Sequence, residues 1–169
     1  MTRDATQDLE TRLGHRFIDR ELLCRALTHP SSNSDTARNN QRLEFLGDRV
    51  LSLIIADMLI ARFPDSTEGD LAPRLNALVR RDTIAEVARE IGLAGCVIMA
   101  AGEQASGGRD KPAILADACE ALIAALYQDG GLEAARRFIQ NLWGPRLGQM
   151  TTAPADAKSA LQEWAQARK

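Results

Sequence analysis

Lysine is almost missing from this 169-residue chain: of its 21 basic residues 18 are arginine, leaving only Lys111, Lys158 and Lys169. Cysteine is sparse as well. Cys24, Cys96 and Cys119 show no paired spacing, which excludes a disulfide framework and reads as reduced thiols in a cytoplasmic protein. There is no long hydrophobic run. The longest apolar region, Val50 to Ile60, is broken by Asp57 and falls well short of the ~20 residues a membrane span needs. The first residues, Met1 to Asp8, are polar and carry no apolar signal-peptide region. Strand signals are nearly absent too; Cys96 to Met99 is the one β-branched patch. Charge of either sign is not in excess, and a formal net charge of -2 argues against a simple basic nucleic-acid binder. What remains is 45% apolar and 26% charged, an ordinary globular composition in a chain long enough to bury a core without a staple. The arginine bias reads either as codon preference in an Ala-rich chain or as a preference for forked phosphate contacts.

Helical periodicity dominates. Gln7 to Leu13 predicts a first helix, and Asp19 caps a second that runs through Glu21 to Leu27 and ends before Pro30. A polar loop from Ser31 to Asn40 precedes a long helix from about Gln41 to Arg62, stopped by Pro64. Thr67 and Asp70 stand at capping-box spacing. Asp82, or Thr83 with Glu86, predicts the start of the next helix, which Gly92 ends. Gly95 to Lys111 reads as a loop. Pro112 suits the first turn of a helix closed by Gly130-Gly131, and a last core helix spans Leu132 to Trp143 before Gly144-Pro145. The expectation is an all-α fold of six to eight helices.

Two of these helices carry acids in unusual company. Glu44 and Asp48 stand four apart in Gln41-Arg-Leu-Glu-Phe-Leu-Gly-Asp-Arg-Val-Leu51, on one face of a helix that is apolar almost all round beyond Asp48. Asp117 and Glu120 stand three apart in Ile114-Leu-Ala-Asp-Ala-Cys-Glu-Ala-Leu-Ile123, an apolar run with no basic neighbour. Buried carboxylates are costly unless paired or bound to a metal. Either pair alone reads as a solvated face; two pairs in two apolar helices read as one metal site. All-oxygen donors without Cys or His suit Mg²⁺ or Mn²⁺, and such a cluster suits phosphoryl chemistry. A di-iron bundle is excluded by the absence of an ExxH pattern. A nucleoside-triphosphate pyrophosphatase with helical carboxylates stays open at this point.

The Gln41–Leu51 segment closely resembles the signature motif of bacterial ribonuclease III, and the resemblance covers nearly the whole chain. Leu13-Gly-His-Arg-Phe17, Ala26-Leu-Thr-His-Pro-Ser31, Glu68-Gly-Asp70, Leu78-Val-Arg80, Gly102 to Arg109 and Ile114 to Ile123 follow in the family's order. The resemblance implies an all-α homodimeric nuclease domain that cuts double-stranded RNA with Mg²⁺ (Mn²⁺ able to substitute). It implies 5′-phosphate and 3′-hydroxyl ends, short 3′ overhangs and a part in RNA processing in the cytoplasm. It places Glu44, Asp48, Asp117 and Glu120 on the metal-binding carboxylates, with Asp48 and Glu120 nearest the chemistry. Glu68 and Glu103 fall on further acidic positions of the family. Phe45 falls on the aromatic that plugs a hydrophobic hole in the partner subunit. Most members carry Glu where this chain carries Gln41, which removes the charge but keeps hydrogen bonding. Arg109, beside Gly107-Gly108, is the candidate for phosphate contact.

Other residues read as ordinary structure: His29 as a packed or capping histidine, His15 as surface, Arg80-Arg81 and Arg136-Arg137 as solvated pairs. The expected organisation is a nuclease domain over 1–150, a linker over 151–156, and over 157–169 the first helix of a double-stranded-RNA-binding domain that the chain truncates. Two divalent cations on four of the acids would reverse the sign of the net charge.

Overall fold

The computed structural model describes residues 3–150, with side-chain packing from residue 7 onward; the expected linker and RNA-binding start, 151–169, lie outside the described residues. Seven α-helices form among the described residues: α1 (Arg3–Leu13), α2 (Arg20–Ala26), α3 (Gln41–Arg62), α4 (Glu68–Val79), α5 (Arg81–Glu90), α6 (Ala101–Ala105) and α7 (Pro112–Gly148). An isolated parallel bridge between Thr28 and Ile98 is the one trace of β structure among them. The all-α expectation holds. No helix among the described residues is long and apolar enough to cross a membrane.

Local chemistry accounts for most boundaries. The Asp19 carboxylate accepts the N–H groups of Glu21 and Leu22 at 2.9 and 3.0 Å and starts α2. Thr67 and Asp70 form the expected reciprocal capping box at the head of α4. Gly92, at φ 68°, turns the chain out of α5 in a left-handed conformation that suits glycine. At the centre, α3 packs against the first half of α7, whose residues from Leu115 to Leu126 are buried almost all round. Helices α4 and α5 cover these two, and the indole N–H of fully buried Trp143 donates to the Leu78 carbonyl at 2.9 Å, tying α7 to the end of α4.

Several boundaries differ from expectation. Helix α1 begins at Arg3 rather than Gln7. Helix α5 begins at Arg81 with Arg80 as its N-cap, so Asp82 and Thr83 lie inside it. The Thr83 hydroxyl instead donates to the Ala77 carbonyl at 2.8 Å, latching α5 back onto α4. The 95–111 loop contains the short helix α6. Pro145 does not end α7, because Leu147 beyond it is buried and Arg146 pairs with Glu90 against α5. Gly131 breaks α7 at φ 73° and ψ −178°, as the double glycine predicts. Helix α3 is also less central than its composition suggests: Phe45 is 65% exposed, and Leu53 and Ile60 are each 60% exposed along one stripe.

His15, expected at the surface, is half-buried and clasps that break. Its Nε2 lies 2.7 Å from Asp129 Oδ2, and the same carboxylate accepts the N–H groups of Ile18 and Asp19 at 3.1 and 2.8 Å. Burial pushes the Asp129 carboxyl up, but the Asp19 N–H, the His15 ring and the Ile18 N–H together hold it below the usual range. A carboxyl lowered in the folded state contributes stability above its unfolded value of about 3.9, and that contribution is lost as pH falls through the folded value. Asp129→Asn is therefore expected to cost about 1–3 kcal/mol at neutral pH. Denaturant unfolding should show the gap to wild type narrowing below about pH 4; an equal gap at pH 7 and pH 3 would refute this account.

Candidate metal centre

The site forms where α3 and α7 cross. A Cβ added at Gly47 would sit 1.8 Å from the Glu120 carbonyl oxygen, so the two backbones meet at a distance only glycine permits. Glu44 lies one turn before Gly47 and Asp48 just after it, while Asp117 lies one turn before Glu120. The crossing therefore gathers acids from both helices around one cavity of about 350 Å³, which Phe45, Arg49, Arg81 and Ala116 also line.

Glu44, Asp117 and Glu120 each offer a carboxylate oxygen, and the three oxygens lie within 4.8 Å of one another. All three side chains are half-buried. Burial pushes the Glu120 carboxyl up to about 8, with the charges of Asp48, Asp117 and Glu44 adding to it and Arg81 opposing. Burial raises Glu44 as well, reinforced by Asp117 and Asp48. Asp117 is raised by burial against the opposing charges of Arg81 and His29. Asp48 lines the same cavity but stands outside the close trio and pairs with Arg49, which lies 4.5 Å over the Phe45 ring. Three mutually close oxygens on carboxyls that resist ionisation fit a hard divalent cation: its charge would offset the repulsion and displace the proton.

The remaining predicted residues scatter. Gln41 is exposed at the head of α3, where its backbone N–H is accepted by Asn39 Oδ1 at 3.0 Å, and it lines a second cavity of about 740 Å³ together with Phe45, Arg25, Ala37 and Arg42. Glu68 is exposed in the first turn of α4 and is not among the residues lining the acid cavity. Glu103, on α6, pairs with Lys111 at 2.6 Å, and this partner holds its carboxyl below the usual range. Arg109 directs Nη1 inward to the carbonyls of Ala94 and Val97, at 2.5 and 3.2 Å, so it braces the 94–109 segment where a phosphate contact was expected. His29 is a turn cap, its Nδ1 accepting the Ser31 N–H at 3.1 Å.

Sequence reasoning missed Arg81. The run around Asp117 has no basic neighbour in sequence, yet Arg81 borders the acid cavity. Its doublet with Arg80 was visible; that only the second arginine faces the acids follows from the α4–α5 turn.

Comparison with known proteins shows what the chain is similar to. A family model described as Ribonuclease-III-like matches residues 19–146. Ribonuclease 3 of Cereibacter sphaeroides (strain ATCC 17025) is 56% identical over 159 residues, covering 94% of this chain and 69% of that protein. The crystal structure of the nuclease domain of ribonuclease III from Campylobacter jejuni superposes with a TM-score of 0.80 at 38% identity, covering 85% of this chain and 97% of that one. A second structure of that domain, with TM-score 0.77 and 39% identity over 82% of this chain and 98% of that one, describes structural flexibility in a region involved in dimer formation.

The crossing at Gly47 has a direct test. Gly47→Ala forces a methyl into the Glu120 backbone, so α3 and α7 must part. The expected cost is about 3 kcal/mol, a fall in Tm of roughly 10 °C. Calorimetric titration with Mn²⁺ should show weakened binding in the variant that still folds; unchanged stability and unchanged Mn²⁺ affinity would remove the crossing from the account.

Proposed function

The chain belongs to the ribonuclease III family of endoribonucleases, and on that premise we propose that its acid cavity hydrolyses phosphodiester bonds in double-stranded RNA with Mg²⁺, Mn²⁺ being able to substitute. The observation that carries this reading is the approach of the Glu44, Asp117 and Glu120 oxygens to within 4.8 Å of one another. These three with Asp48 would hold the cation. A divalent cation in that position supplies the charge that activates water and stabilises the oxygen leaving the phosphorus. The chain's own part is to fix the four carboxylates across the α3–α7 crossing and to leave the cavity open to a strand. Glu120, its carboxyl pushed up to about 8 by burial and the neighbouring acids, would give up its proton as the cation binds. Cleavage would leave 5′-phosphate and 3′-hydroxyl ends with short 3′ overhangs, in a cytoplasmic role in RNA processing.

We place the nuclease unit in residues 1–150, with 151–156 as linker and 157–169 as the beginning of a double-stranded-RNA-binding domain. Duplex recognition would rest on A-form shape, phosphates and 2′-hydroxyls rather than base sequence.

The unit works as a homodimer in this reading. Phe45, Leu53 and Ile60 leave an apolar stripe on α3 uncovered. Phe45 of one copy would enter the cavity beside Gln41 on the other.

Two experiments test these assignments. Incubation of the protein with a long RNA duplex and Mg²⁺ should give cleavage, and Glu120→Gln should lower the rate by at least about 10²-fold. An intact duplex with wild-type protein would sink the nuclease reading, and equal rates would sink the assignment of Glu120. Separately, Phe45→Ala should shift sedimentation from dimer toward monomer while leaving the helical circular dichroism unchanged; a variant that remains as dimeric as wild type removes Phe45 from the interface.

A further inference from the structure

We propose that Arg81 is a phosphate-binding residue of the acid cavity, holding the phosphodiester backbone of the strand presented to the four carboxylates. The inference rests on the nuclease reading above and extends it to a residue outside the carboxylate set.

Three observations carry it. The first is position. Arg80 is extended, at φ −69° and ψ 151°, and ends α4. Its Nε turns toward the Thr83 hydroxyl at 3.3 Å, while Arg81, the first residue of α5, lines the cavity with Glu44, Asp48, Asp117 and Glu120. The second is freedom. Neighbouring arginines are occupied: Arg49 by Asp48 and the Phe45 ring, Arg109 by two backbone carbonyls. Among the described residues no hydrogen bond or ion pair engages Arg81, and its side chain is exposed, so the guanidinium can extend along the cavity mouth.

The third is electrostatic sense. The positive charge of Arg81 acts on Glu44, Asp117 and Glu120 alike. A fixed cation beside a cation site weakens metal binding by simple repulsion. It eases the repulsion among the acids in part, and it also draws an anion into the cavity, where a phosphodiester is the anion the nuclease reading supplies. Guanidinium also matches a phosphate with two parallel N–H donors, where an ammonium offers a point charge.

Arg81→Gln and Arg81→Lys test the idea, with equal Tm as the folding control. Fluorescence anisotropy of a labelled RNA duplex in EDTA should show weaker binding for Arg81→Gln. The slope of log affinity against log salt should shrink by about one phosphate contact. Arg81→Lys should keep the slope. Titration with Mn²⁺ alone should show affinity for Arg81→Gln equal to or above that of wild type. In Mg²⁺ cleavage, kcat/KM should fall by about 10- to 100-fold for Arg81→Gln, with partial recovery in Arg81→Lys. An unchanged salt slope would overturn the proposal and leave Arg81 a solvated cation. Weakened Mn²⁺ binding would overturn it as well, since Arg81 would then be positioning carboxylates. Wild-type protein that neither binds nor cuts duplex RNA would instead bring down the nuclease reading itself.

Discussion

The contact of the α3 and α7 backbones at Gly47 and Glu120 is the constraint on which the rest of the molecule turns. With a Cβ at residue 47 only 1.8 Å from a carbonyl oxygen, no side chain can stand between the helices there. Each helix carries an acid one turn before the crossing and another at or beside it. Helical spacing then does the remaining work, because residues three and four apart share a face. A wider crossing would leave two ordinary solvated acid pairs. The close one makes a single cavity with three carboxylate oxygens in mutual reach.

That closeness is electrostatically unfavourable, and the fold tolerates it because of where it sits. The first half of α7 is buried nearly all round through its alanine, leucine and isoleucine residues, which anchors Asp117 and Glu120 in the packed core. Burial and like charge raise Glu44 and Glu120 together, and Glu120 reaches about 8. Like charges held this close favour a divalent cation among them, whose charge would offset the repulsion. Arg81 eases it from outside the trio without closing the cavity.

Much of this was legible in sequence. Apolar periodicity, the Asp19 cap and the Thr67–Asp70 box define α2, α3 and α4, and the four acids stand out because they interrupt apolar helices. The losses have physical reasons. Thr83 carries a capping residue's chemistry but spends its hydroxyl on Ala77, so α5 starts two residues before its strongest local signal. Pro145 stops a helix in isolation, yet tertiary burial of Leu147 carries α7 past it. Arg109 has the glycine-rich setting of a phosphate ligand and is instead drawn inward by two carbonyls. Arg81 is the converse case: an arginine pair carries no directional information until the α4–α5 turn sends the two side chains apart.

The exposed stripe on α3 adds a last step. Phe45 borders both cavities, the one holding the acids and the one beside Gln41. Its ring also supports Arg49, which in turn pairs with Asp48. A surface that packs on Phe45 therefore acts, through two contacts, on the one cavity-lining carboxylate that stands apart from the trio. The helix that presents this aromatic side chain is the same helix whose glycine lets the acids meet.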